Sequence, residues 1–445
     1  MYLSAMEIYR RLSVMNPQVY EPGLASTQYN LGGLYSNTQR YGESEKMYLS
    51  AMEIYRRLSA MNPQVYEPGL AKTQNNLGNL YSDIQRNEEG EEMYLSAMEI
   101  YRRLSVMNPQ MYEPDLAMVQ NNLGILYNDT QRNGESEEMY LSAMEIYRRL
   151  SAMNSQVYEP DLATAQNNLG SLYKDTQRYG KSEEMYLSAV EIYQRLAAAN
   201  PQVYESDLAR TQNNLGNLYR DTQRYEESGE MYLSALKVYR RLAVANPQAY
   251  ELDLAKVQSN LGRLYYNTQR YGDSEKMYLS AMEIYRRLAA VNPQVYEPGL
   301  AMIQNNLGNL YRDTQRYEES EEMYLSALKI YQRLTAADPQ MYEPYLVRAC
   351  NNLSFLFLAQ GNFEEAERYA REGSKYDSTH HTVYTNLAAS LLFQGRYAEA
   401  EEIYLRYKEE LKEDFLSDFE DFYQRGIIPP EREVDVERIK KLLSK

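Results

Sequence analysis

Apolar residues along most of the chain recur at helical spacings, in two alternating kinds of segment. In one, Leu70, Leu77 and Tyr81 fall at i, i+7 and i+11 and so share one helical stripe. In the other, from about Glu88 to Met107, Tyr94, Ala97, Tyr101 and Leu104 recur at spacings of three and four. Pro68 suits the opening turn of the first kind, because the N–H it lacks would be unpaired there anyway. Asn-Pro pairs at 62, 108, 200, 246 and 292 break the chain after the second kind, since the residue before a proline avoids the helical region. Position 154 carries Asn-Ser, a weaker stop. No stretch alternates as a half-buried strand would, so an all-α chain is expected.

The two segments form a unit that repeats. Met-Tyr-Leu-Ser-Ala begins at 1, 47, 93, 139, 185, 231, 277 and 323, each step being 46 residues. A second phrase, as in Gln74-Asn75-Asn76-Leu77-Gly78-Asn79-Leu80-Tyr81, recurs within each copy. One helical hairpin of this size cannot bury both its faces, so neighbours must stack into an elongated solenoid. Copying one short template also explains 46 tyrosines against seven phenylalanines and no tryptophan.

Within the first full hairpin, Gln28, Leu31, Gly32, Tyr35, Ser44, Tyr48 and Ala51 resemble the pattern of the tetratricopeptide repeat family, with the closing proline displaced to Pro63. The resemblance implies a right-handed superhelical α-solenoid with a concave groove. The family period is about 34 residues, and the 12 additional residues are expected in the second helix and its exit. Such long repeats resemble those of kinesin light chains, whose Asn-Asn-Leu-Ala-x-Leu-Tyr phrase is close to Asn121-Asn122-Leu123-Gly124-Ile125-Leu126-Tyr127. Near the end the spacing shortens: Leu353 to Leu387 is 34 residues, and Tyr384, Leu387, Ala388, Ala400 and Tyr404 fit the family pattern. The expected organisation is an orphan second helix at 1–15, long repeats over 16–378, an ordinary repeat over 379–411 and C-terminal capping helices over 412–445.

Near-identical copies show which repeat positions vary. Numbered by the first copy, positions 26, 29, 33 and 36 vary and fall opposite the apolar positions 24, 31 and 35. In the family this face of the first helix lines the groove, so the resemblance makes these positions partner-facing; the alternative is drift on a solvated face. Position 26 contributes Lys72, Arg210, Lys256 and Arg348, position 33 contributes Asn79, Asn217, Arg263 and Asn309, and position 36 contributes Lys174, Arg220 and Arg312. The last copy places Phe355 and Leu358 at positions 33 and 36.

Position 30 is asparagine throughout, as in Asn76, Asn122, Asn168, Asn214, Asn260 and Asn306, although asparagine is a poor helix-interior residue. Its amide can donate and accept, which suits the backbone of an extended peptide; an inter-repeat hydrogen bond is the equal alternative. The neighbouring glutamines, Gln28 to Gln304, are expected to be structural. The basic residues accumulate from the fourth hairpin onward, with Asp175, Asp221 and Asp313 partly neutralising them, so an extended acidic or mixed-charge peptide is the expected ligand.

Composition narrows the function classes. A net charge of -16 disfavours nucleic acid, and no apolar run approaches the length of a membrane span. Cys350 is a lone thiol at a packed position, and the only histidines are His380 and His381. No phosphate loop, nucleophile with a base, metal set or cofactor motif is present, so an enzyme is not expected. Tyrosines at 48, 55, 66 and 81, repeated in the other copies with few changes, are read as helix packing, and Glu88-Glu89-Gly90-Glu91-Glu92 as a charge-complemented helix start. The expectation is a soluble cytoplasmic scaffold for protein partners. The alternative is a regulatory spacer or sensor arm that forms a homodimer through its N-terminal helix.

Overall fold

The computed structural model describes residues 2–376, 381 and 383–444. His380 and the expected boundary at 378 lie outside them. The described residues are helical with no strand, and they fall into two units, Met1–Arg224 and Tyr225–Lys445. In the first unit α1 (Tyr2–Met15) precedes the hairpins α2 (Pro17–Asn37) with α3 (Tyr41–Met61), α4 (Pro63–Asp83) with α5 (Asn87–Met107), α6 (Pro109–Asp129) with α7 (Asn133–Met153), and α8 (Ser155–Asp175) with α9 (Tyr179–Ala199); α10 (Pro201–Asp221) ends it. The second unit opens with α11 (Tyr225–Ala245). It continues with α12 (Pro247–Asn267) and α13 (Tyr271–Val291), α14 (Pro293–Asp313) and α15 (Tyr317–Ala337), α16 (Pro339–Ala359) and α17 (Phe363–Ser374), and α18 (Val383–Phe393) and α19 (Tyr397–Arg406). Last come α20 (Lys408–Gln424), a 3-10 turn at Pro430–Arg432 and α21 (Glu433–Ser444).

Two expectations need correction. Pro68 does not open a helix: Pro63 takes the first position of α4, and Pro68 lies inside it. Pro63, expected to close one repeat, thus opens the next. The additional residues are not confined to the second helix either. Both helices of a long hairpin have 21 residues, whereas the short α17 and α18 have 12 and 11. Between hairpins a single residue breaks the helix, as at Asn62 (φ -144°, ψ 85°). Asn154 takes the same conformation before Ser155, so the break does not depend on the proline.

Within a hairpin the turn uses one left-handed residue: Gln85 (φ 62°), Gln131 (φ 61°) and Gln177 (φ 58°), replaced by Gly361 (φ 74°) and Gly395 (φ 80°) in the last two hairpins. The helices then meet through a glycine and a tyrosine. A Cβ on Gly78 would lie 2.7 Å from the ring of Tyr94, so only glycine admits that ring. Where Ser354 replaces the glycine, Ala370 replaces the tyrosine. The serine that departs from the family pattern also has a partner: Ser136 Oγ donates to the Gly124 carbonyl (2.7 Å), as Ser44 does to Gly32 (2.8 Å).

A three-residue contact joins successive hairpins. Tyr127 Oη donates to Glu91 (2.9 Å), and Arg132 Nη1 donates to the same carboxylate (2.6 Å) while its guanidinium covers the Tyr127 ring at 4.1 Å. The same set joins Tyr81 and Arg86 to Glu45, Tyr173 and Arg178 to Glu137, and Tyr311 and Arg316 to Glu275. Desolvation, the main cause, pushes the Tyr81 and Tyr127 hydroxyls up to about 12. One joint in the second unit lacks its carboxylate, because the glutamate position is Gly229. Tyr265 is only partly buried, and Asp273 is the one carboxylate that Arg270 meets among the described residues, although its guanidinium still covers the Tyr265 ring at 4.1 Å.

Candidate functional site: the first-helix face

Inside each unit the first helices of successive hairpins touch one another, and no pair of second helices among the described residues comes as close. The repeated asparagines lie at these contacts. Asn122 Nδ2 donates to Asn75 Oδ1 of the preceding hairpin (3.0 Å), Asn168 to Asn121 (3.1 Å), Asn214 to Asn167 (3.1 Å) and Asn352 to Asn305 (2.8 Å). Asn76 uses the Tyr29 hydroxyl (2.8 Å), and Asn386 extends the pattern to Asn351 Oδ1 (2.7 Å). Position 29 therefore faces the neighbouring first helix, not the open surface where periodicity had placed it, and Asn75, Asn167 and Asn305 are buried. The glutamines are structural as expected: Gln120 Nε2 donates to Ser142 across its hairpin (2.8 Å).

Asn306 departs from this ladder. The residue opposite is Ser259, whose shorter side chain does not reach it, and Asn306 has no hydrogen bond among the described residues. A sequence signal existed: every Asn-Asn pair supplies a donor and the acceptor for the next hairpin, and Ser259-Asn260 breaks the pairing.

The basic residues divide into paired and unpaired ones. Lys174 meets Asp175 (2.7 Å), Arg220 meets Asp221 (2.8 Å) and the Asn217 amide oxygen (3.2 Å), and Arg312 meets Asp313 (3.0 Å). Arg210 pairs with Asp207 (2.8 Å), and Lys256 lies 3.9 Å from Asp253, carboxylates that the sequence reading had not included. Arg220 and Arg312 are also nearly covered, at 9% and 15% exposure. Lys72 lies over the Tyr29 ring at 5.5 Å and near Asp115. Desolvation raises Asp83, Asp115 and Asp129 above their usual carboxylate range, with Lys72 partly opposing it at Asp115. Asn79 and Asn309 accept hydrogen bonds from Tyr94 (2.7 Å) and Tyr324 (2.6 Å).

Arg263 and Arg348 are exposed and have no carboxylate partner among the described residues; Arg348 rests 5.7 Å from the Tyr345 ring centre. Both line a cleft of about 390 Å³ in the second unit, together with Tyr266, Asn267, Tyr278, Met302, Asn305, Asn306, Asn309 and Asn352. No acidic side chain lines it. Tyr266 is held at one edge by its hydroxyl bond to Asp313.

The far end of this face is covered by the chain itself. Phe422 of α20 stacks on Phe355 at 5.9 Å, and Arg425 reaches Asp313 at 3.6 Å. Arg312 and Arg425 lie 5.0 and 5.6 Å from the Phe355 ring centre. Phe355, expected to face a partner, instead seats the C-terminal cap, and Leu358, expected on the same face, is fully buried.

Known proteins share this architecture. The solved structure of apo RapI matches with a TM-score of 0.51 at 14% identity, covering 70% of this chain and 99% of its own. A signal transduction ATPase with numerous domains from Pyrococcus horikoshii, which has a tetratricopeptide repeat sensor, matches with a TM-score of 0.53 at 16% identity, covering 84% of this chain and 54% of its own. BtubC (BKLC) from P. vanneervenii is 24% identical over 54% of this chain and 89% of its own, with a TM-score of 0.45. No curated protein sequence matches the chain significantly. Tetratricopeptide repeat matches cover residues 24–59, 70–105, 115–195, 208–247, 254–291, 299–377 and 357–416. With those matches over most of its length, the chain belongs to the tetratricopeptide repeat family.

Proposed function

We propose that the chain is a protein-interaction scaffold that holds an extended, acidic segment of another protein on its first-helix face. The repeat family supports the scaffold role. The acidic preference rests on one observation: in the second unit the cations left without carboxylates, Arg263 and Arg348, border a cleft lined by amides and hydroxyls. Ion pairs at Lys174, Arg210, Arg220 and Arg312 reduce what those residues can offer a ligand, so selectivity is concentrated in the cleft. The ladder asparagines hold the stack, and their remaining carbonyl oxygens are what a peptide N–H would meet.

A peptide-library selection with the full chain tests this. The wild type enriches acidic sequences, and the folded variant Lys72→Glu/Arg263→Glu/Arg348→Glu does not. Identical enrichment by both would rule out the acidic groove.

Self-association is a second reading, favoured by α1. No residue of α1 is buried, and Ile8 is 48% exposed where its equivalent Ile54 is 7%. A second copy covering that face would give concentration-dependent dimers in light scattering. A monomer at all concentrations would remove this reading.

A further inference from the structure

The two edges of the hairpin stack in the first unit carry opposite chemistry. At one edge the turns within hairpins are decorated with ion pairs, Arg40 with Glu43 (2.7 Å), Arg86 with Glu89, and Arg132 with Glu135 (2.5 Å). At the other edge each second helix ends and the next first helix begins, and the breaks at 14–19, 60–65, 106–111 and 152–157 hold no charged residue. Their apolar side chains stand in solvent: Val14, Met15 and Val106 are 82% exposed, and Met61, Met107 and Met153 are 58–59% exposed. Successive breaks adjoin because consecutive first helices touch, so these residues form one strip along the edge.

We propose that this strip is the interface with a second copy of the chain, in an antiparallel two-fold arrangement. Its exposed apolar area is roughly 1,000 Å² per copy, above the ~800 Å² per partner of a standard interface and larger than the patches that monomers ordinarily expose. A two-fold interface sets a surface against itself, so charged residues would meet like charges, and the strip has none. Evenly spaced breaks also stay in register when the strip is turned end for end, so the side chains of one copy fall between the breaks of the other. Methionine, flexible and polarisable, adapts to such gaps. The near-identical copies differ at this position: Met15, Met61, Met107 and Met153 give way to Ala199, Ala245, Val291 and Ala337, which confines these methionines to the first unit. The net charge of -16 opposes approach of two copies at low salt, so the dimer should tighten as salt screens it.

The strip uses the edge and not Ile8 of α1, and it includes none of the residues of the cleft at Arg263 and Arg348. It therefore stands apart from both readings above. Sedimentation velocity on the full chain between about 1 and 100 µM tests it, a range in which an interface of this size associates measurably. The wild type should form dimers that tighten severalfold with added salt. Met61→Glu/Met107→Glu/Met153→Glu should keep its melting temperature, since all three residues are exposed, and weaken dimerisation about a hundredfold by setting like charges together. The matching triple lysine variant should also be monomeric, and an equimolar mixture of the two should recover a heterodimer. Ile8→Glu should leave the dimer intact. A wild type monomeric throughout would overturn the proposal, and flotation of that monomer with phosphatidylcholine vesicles would give the strip to a lipid surface instead. Dimers lost in Ile8→Glu but kept in the triple glutamate variant would assign association to α1 and overturn the strip. A mixture that stays monomeric would overturn the pairing of strip with strip.

Discussion

Replacing Gly229 with glutamate should complete the joint of the second unit that lacks its carboxylate. A Cβ at residue 229 meets only Leu264, at 3.6 Å, so the side chain fits without displacing a neighbour. Removing a helix-interior glycine contributes about 0.8 kcal/mol. A hydroxyl bond from Tyr265, like that of Tyr311 to Glu275 (3.0 Å), adds about 1 kcal/mol. The ion pair with Arg270 is worth about 0.5 kcal/mol, because its equivalents are only partly covered, at 38% and 25% exposure for Arg316 and Glu275. Less about 1.5 kcal/mol for ordering one glutamate side chain, the gain is about 0.8 kcal/mol. In a solenoid whose hairpins open semi-independently, that lowers local opening about fourfold. Hydrogen exchange read by mass spectrometry should show slower exchange across α11 to α13. Glu137→Gly, which creates the same gap in the first unit, should speed exchange across the joint it borders by a similar factor. Unchanged exchange in both variants would refute the view that this joint holds hairpins together.

Three further outcomes follow from the geometry. Gln177→Gly should raise the melting temperature by the equivalent of about 0.5–1 kcal/mol, because Gln177 (φ 58°) occupies a conformation that Gly361 and Gly395 adopt without strain; a lower melting temperature would count against it. Gly78→Ser should cost about 1–3 kcal/mol by pressing on the Tyr94 ring, and much less beside Tyr94→Ala, since Ser354 and Ala370 already form that pair; additive costs in chemical denaturation would contradict this. Burial is the main cause pushing Asp418 up to about 6, with the Thr385 hydroxyl opposing it and Asp414 and Asp421 adding to it. The unfolded carboxyl titrates lower, so the folded state binds the proton more tightly and loses stability as pH rises from about 4 to 6. Asp418→Asn should therefore stabilise the C-terminal cap at pH 7.5 by on the order of 1–2 kcal/mol and by about a third as much at pH 4.5. A stabilisation equal at both values would show that this carboxyl is not responsible.

Much of the fold was legible because the template is copied with few errors: the period, the paired helices and the break after each Asn follow from spacing alone. Pro68 misled because proline tolerance in the first turn was applied to the wrong proline, one turn too late. The ladder was half-legible. Position 30 stood out for its invariance, but its acceptor at position 29 was assigned to the open face, since periodicity describes one helix and not the next helix packed beside it. The basic stripe was over-read for a related reason. Asp207 and Asp253 lie three residues before Arg210 and Lys256, one turn away on the same face, and only a search at that spacing pairs them. The covering of Phe355 by α20 depends on where the chain returns after 408, which no local pattern encodes.

The central functional claim is that a partner's segment lies on the first-helix face of the repeats. A photo-crosslinking residue placed at Met302, exposed on α14 beside the cleft, and separately at Lys329 on the second helix α15, tests it directly against the peptide enriched by selection. Cross-links from position 302 alone, competed by unlabelled peptide, are the predicted result. Cross-links from position 329 and none from 302 would contradict the account.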